Sequence, residues 1–94
     1  MTEKIRTALV GCGKVGHTHA QALKALPHSD FVAAFDVDQS RADAFAKSYG
    51  VRGYADLERM IDDAGVQMIS ICTPHPTHAG VIAAAAQRGV HSLV

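Results

Sequence analysis

Short apolar runs alternate along this chain with stretches whose apolar positions recur every three or four residues. The first run, residues 5–10, becomes continuously apolar at Ala8, Leu9 and Val10, as expected of a strand covered on both faces. Residues 14–26 then predict a helix with Val15, Ala22, Leu23 and Leu26 as its buried stripe. Pro27 stops that helix, because proline cannot continue the hydrogen-bond ladder. Residues 31–35 predict a second strand, which delivers Asp36 at its carboxyl end. Asp38 is placed to cap a second helix with Ala42, Phe45, Ala46 and Tyr49 inward and Gly50 as its left-handed stop.

The same alternation continues to the last residue. A short third strand is expected at 52–54, then a helix capped by Asp56, carrying Leu57, Met60 and Ile61 and ending near Gly65. Residues 66–72 read as a fourth strand, and Thr73-Pro74-His75-Pro76-Thr77-His78 as the loop after it. A fourth helix over 77–88 would turn Val81, Ile82, Ala85 and Ala86 inward and stop at Gly89, before a fifth strand begins at 90–94. Alternating strands and helices imply an α/β fold with parallel strands joined by right-handed crossovers. The expected architecture is a Rossmann-type doubly wound parallel sheet of strand order 3-2-1-4-5, truncated in strand 5. Ligands of such sheets bind at the carboxyl ends of the strands where the order reverses, between strands 1 and 4.

That edge carries the chemistry. Gly11, Gly13 and Gly16 form a G-x-G-x-x-G run directly after the first strand and directly before the first helix, and Asp36 stands twenty positions beyond Gly16. The run alone is weak; in register with strand, helix, second strand and terminal acid it is a dinucleotide-binding fingerprint. Gly11 permits the tight turn, Gly13 lets backbone N–H groups approach a pyrophosphate, and Gly16 lets the helix pack near the sheet. Lys14 and Val15 lie in the first helical turn, whose free N–H groups attract phosphate. Asp36 is placed to accept from the adenosine ribose hydroxyls. A carboxylate there repels the 2′-phosphate of NADP and no Arg stands at position 37, so NAD is favoured; Arg41 is the residue through which NADP remains an alternative.

Composition narrows the partners. Nine Lys+Arg balance nine Asp+Glu, so no basic surface invites nucleic acid or anionic lipid. No apolar stretch approaches a membrane span, and residues 1–4 lead straight into the first strand without room for a signal peptide. A cytoplasmic protein is the expectation. Cys12 and Cys72 end predicted neighbouring strands and read as small side chains beside a cofactor rather than as a disulfide or reactive thiols. Six histidines invite a metal reading, but His17 and His19 fall about 200° apart on a helix, which disfavours a shared ion. His78 reads first as a loop or cofactor residue and only second as a general base.

With the glycine run, the terminal Asp36, and Ile71-Cys72-Thr73-Pro74 followed by His78 and an alanine-rich helix, the whole chain closely resembles the glucose-fructose oxidoreductase / inositol dehydrogenase (Gfo/Idh/MocA) family. His19, three residues past the third glycine, fits the same pattern. The resemblance implies that Thr73, Pro74 and His78 line the nicotinamide-ribose region. It also implies a Glu-Lys-Pro segment after strand 5 and a second α/β domain with the catalytic residues, neither of which occurs in these 94 residues. The chain is accordingly read as residues 1–94 of a dinucleotide-binding domain whose substrate domain is absent, belonging to an oxidoreductase of sugar- or polyol-type secondary alcohols. None of its residues is a catalytic acid or base by this resemblance. Alternatives are a non-catalytic nucleotide-responsive module, whose sheet edge near Leu93 could pair with another copy, and an S-adenosylmethionine site, against which the glycine spacing and the Thr-Pro loop argue.

Overall fold

The computed structural model describes residues 4–73 and 75–93, leaving aside the side chains of residues 75–78. Five strands and four helices alternate: β1 (Ile5–Val10), α1 (Lys14–Ala25), β2 (Ser29–Phe35), α2 (Gln39–Tyr49), β3 (Arg52–Tyr54), α3 (Leu57–Ala64), β4 (Met68–Ile71), α4 (His75–Gln87) and β5 (His91–Leu93). All strand pairs are parallel and the spatial order is β3-β2-β1-β4-β5, as expected for a sheet of the dinucleotide-binding type. Crossing to β4 from the β1-to-β3 side of the sheet reverses the winding, so α1 and α2 cover one face while α3 and α4 cover the other. Leu9, Ala20, Leu23, Ala34 and Phe45 pack together on the first face. Ala8, Val10, Met60, Ile69 and Ala85 belong to the cluster on the second.

Local chemistry sets most element ends. The Asp38 carboxylate accepts the N–H groups of Ser40 and Arg41, and Asp56 accepts that of Arg59, so both expected caps form. Gly50, Gly65 and Gly89 end their helices with positive φ, at 68°, 63° and 69°. Gly53 serves a different purpose, because a Cβ there would lie 2.7 Å from the carbonyl carbon and oxygen of Ala42. Edge strand β3 and helix α2 therefore meet backbone to backbone.

Some expectations are corrected. The buried face of α1 is Gly16, Ala20 and Leu23; Ala22 is exposed, Val15 is 63% exposed and Leu26 lies beyond the helix end at 54%. Small residues win this face because they let the helix axis approach the sheet, which larger apolar residues would hold off. On α4, Ala85 is buried and Val81 packs on the core, whereas Ile82 and Ala86 are exposed. That helix starts at His75 rather than at residue 77. Pro76 is compatible with its first turn, where no intrahelical donor is needed. Arg88 binds Glu58 at 3.1 Å and Asp62 at 3.2 Å, tying the end of α4 to α3. β2 begins two residues before residue 31, at Ser29, which pairs with Ile5. β4 is shorter than 66–72, since the Val66 N–H is taken by the carbonyl of Ile61 at the end of α3.

Candidate functional site

The glycine turn is held from both sides. Gly11 donates its N–H to the Phe35 carbonyl of β2 at 2.9 Å, and Cys72 donates to the Val10 carbonyl at 2.7 Å. Gly11 has φ of 107°, and a Cβ there would lie 2.8 Å from the Cys72 carbonyl carbon and 2.9 Å from the Thr73 nitrogen. Only glycine meets both demands. Gly16 is pressed against the Gly11 carbonyl and the Leu9 side chain, as close helix packing requires. Gly13 is the N-cap of α1, with open space where a Cβ would stand, no side-chain cap and no acid in the first turn. Lys14 and Val15 follow as exposed residues of that turn. The first amides of α1 thus face solvent with their partial positive charge uncompensated by the chain itself.

Asp36 emerges from β2 beside this turn and is only 6% exposed. Its N–H donates to the Tyr54 carbonyl of β3 at 3.0 Å. Its Oδ2 accepts from the Cys12 N–H at 3.1 Å and its Oδ1 from the Asp38 N–H at 3.0 Å. Arg41 brings Nη1 to 3.9 Å from Oδ2, a loose approach by an exposed side chain. Gly11, Cys12, Asp36, Arg41, Cys72 and Thr73 line one cleft of about 460 Å³, together with Gly13, Phe35, Val37 and Val81. Val37, 85% exposed, was not singled out by the sequence reading, nor were Phe35 and Val81. The signal available for Val37 was its place directly after the strand-end acid.

The remaining sequence candidates divide. Thr73 is half-buried and lines the cleft. Pro74 lies outside the described residues, and so does the side chain of His78, whose backbone belongs to the first turn of α4. The two helix α1 histidines point apart, as their spacing required. His17 stacks against Phe45, with centroids 4.4 Å apart, and its Nδ1 lies 2.8 Å from the Tyr49 hydroxyl. His19 Nδ1 lies 3.2 Å from the Ser70 hydroxyl. Among the described residues no three His, Cys, Asp or Glu side chains converge as a metal site. Both cysteines are free thiols. Burial, then the neighbouring Asp36 carboxylate, pushes the Cys12 thiol up to about 12, with Arg41 acting weakly the other way. Its Sγ donates to the Phe35 carbonyl at 3.4 Å. Burial also raises the Cys72 thiol.

An uncapped helix start, a close-approach glycine turn and a buried strand-end carboxylate sharing one cleft suit a phosphate-linked ribonucleotide. The family described as "Oxidoreductase family, NAD-binding Rossmann fold" matches residues 5–94. The chain belongs to this family. Within the glucose-fructose oxidoreductase / inositol dehydrogenase group, it is 31% identical over 96 aligned residues to scyllo-inositol 2-dehydrogenase (NAD(+)) of Bacillus subtilis (strain 168), covering 100% of this chain and 28% of that one. It is 34% identical to the inositol 2-dehydrogenase of Arthrobacter sp. (strain FB24), over 99% of this chain and 28% of the relative. The structure of GenD2 from gentamicin A biosynthesis, in complex with NAD, superposes with a TM-score of 0.90 at 29% identity, covering 98% of this chain and 26% of that chain. The chain therefore spans about a quarter of the length of these family members. No helix among the described residues is long and apolar enough to cross a membrane.

Proposed function

We propose that these 94 residues are the cofactor-binding domain of an NAD-dependent dehydrogenase acting on a sugar- or polyol-type secondary alcohol. The observation that carries this reading is the meeting of the uncapped α1 start with Asp36 in one cleft. Gly11 and Gly16 shape the turn, and the amides at Gly13, Lys14 and Val15 receive the pyrophosphate. Asp36 keeps lone pairs for the adenosine ribose, since a carboxylate offers about four acceptor sites and two are taken by amides. Val37 and Val81 give the adenine apolar walls. Thr73, Pro74 and His78 serve the nicotinamide-ribose end.

Bound nicotinamide supplies the hydride acceptor or donor, and the chain supplies orientation and electrostatics. The buried negative charge of Asp36 favours NAD over NADP, which would bring a second anion beside it. The substrate class rests on the family members, which include inositol dehydrogenases. In such enzymes the residues matched here cover the cofactor-binding part, and that is the role these 94 residues take in this reading. Isothermal titration tests the reading: NAD is expected to bind at least about tenfold more tightly than NADP, a difference of about 1.4 kcal/mol. Failure of the folded protein to bind either nucleotide overturns it.

A further inference from the structure

The Cys12 amide lies within the glycine run, and it is already engaged by Asp36 Oδ2 at 3.1 Å inside a buried contact. The other oxygen of the same carboxylate holds the Asp38 amide, and the Asp38 carboxylate in turn caps α2. Behind them, the Asp36 N–H is fixed to β3 through the Tyr54 carbonyl. One residue thus links the edge strand through its backbone, and the start of α2 and the turn before α1 through its carboxylate. We propose that Asp36 is a positioning residue for the pyrophosphate, in addition to any contact it makes with ribose. By taking the Cys12 amide it sets the turn so that ligand phosphate is left to the amides from Gly13 onward. This rests on the dinucleotide reading above and deepens it.

The physical basis is that an amide contact to a carboxylate is stronger than one between neutral groups, and here it is buried. Without that anchor the Gly11–Gly13 segment, whose φ of 107° at Gly11 already depends on its neighbours, loses a restraint within one residue of the phosphate donors. Arg41 does not replace it, because a guanidinium has no acceptor to offer the Cys12 amide.

The discriminating probe is 2′,3′-dideoxy-ADP, which carries the diphosphate and lacks both ribose hydroxyls. Asp36→Asn is expected to weaken its binding about tenfold, as well as that of ADP. An unchanged affinity for the dideoxy probe beside a weakened affinity for ADP overturns the proposal and leaves Asp36 as a ribose acceptor only. A measurement on the unmodified protein guards against a variant that fails to fold. Amide exchange at Cys12 is expected to be slow without ligand and unchanged by ADP, while the Gly13, Lys14 and Val15 amides gain protection. A Cys12 amide that exchanges freely until ADP is added overturns the proposal. If the unmodified protein binds no ADP while the Cys12 amide is protected, the dinucleotide reading is what fails, and the positioning role falls with it.

Discussion

Helices α1 and α2 begin at the same carboxyl edge of the sheet, and they end their backbones in opposite ways. At α2 the chain satisfies itself: Asp38 accepts two first-turn amides at 2.9 and 3.3 Å. At α1 the N-cap is Gly13, with no side-chain acceptor and no acid in the turn. The two starts are separated by one strand crossing and share Asp36, which accepts from Cys12, two residues before α1, and from Asp38, the N-cap of α2. In the function proposed above, the open helix start is the one that nucleotide phosphate completes, while its closed neighbour needs no ligand. α3, capped by Asp56, follows the closed pattern.

The contrast can be broken most severely at the turn itself. Gly11→Ala combines a positive φ with overlap on the Cys72 and Thr73 backbone, and should cost about 3 kcal/mol or more. An unchanged urea midpoint would refute that account of the turn. Next, Gly13→Asp gives α1 the cap that α2 has. Its Cβ enters open space, so stability should hold or rise by about 0.5 kcal/mol while NAD affinity falls about tenfold. Melting and titration of the same sample check both halves; retained NAD affinity would mean that the open start is not the phosphate site. The converse change, Asp38→Ala, should destabilise by about 1 kcal/mol and move NAD affinity less than twofold. An effect confined to alkaline pH concerns Cys12. Its thiol is raised from 9.0 to about 12, so the unfolded chain ionises first and stability falls as pH climbs from 9 toward 12, with no contribution below 9. Cys12→Ser should flatten that alkaline decline, which denaturant titrations at pH 8 and about 10.5 would reveal.

How far the sequence spoke depended on whether the governing interaction was local. Asp38, Asp56, Gly50, Gly65 and Gly89 act within one turn, and each performs its expected role. Strand order followed from alternation, handedness and the dinucleotide-binding fingerprint taken together. The helix faces were less legible. α2 buries Phe45 between alanines, as its pattern suggested, but α1 buries Gly16 and Ala20 while Val15 opens to solvent. Hydrophobicity ranks valine above glycine, whereas close approach to a sheet ranks them the other way, and only the packed structure decides. In the site, Asp36 was visible by spacing. Its grip on the Cys12 amide was not, because that bond joins residues 24 apart.

One contact, a residue away from the Arg41 wall of the cleft, constrains how that wall is held. Where Gly53 of β3 meets Ala42 of α2, main chain lies against main chain with no side chain between. Rotamer adjustment has nothing to adjust there, so any added carbon must translate the whole helix start, carrying the segment that holds Asp36 and Asp38. The three-residue outer strand therefore works as a datum: the backbone approach at Gly53 sets how near α2, with its cap Asp38, can lie to the rim of the sheet.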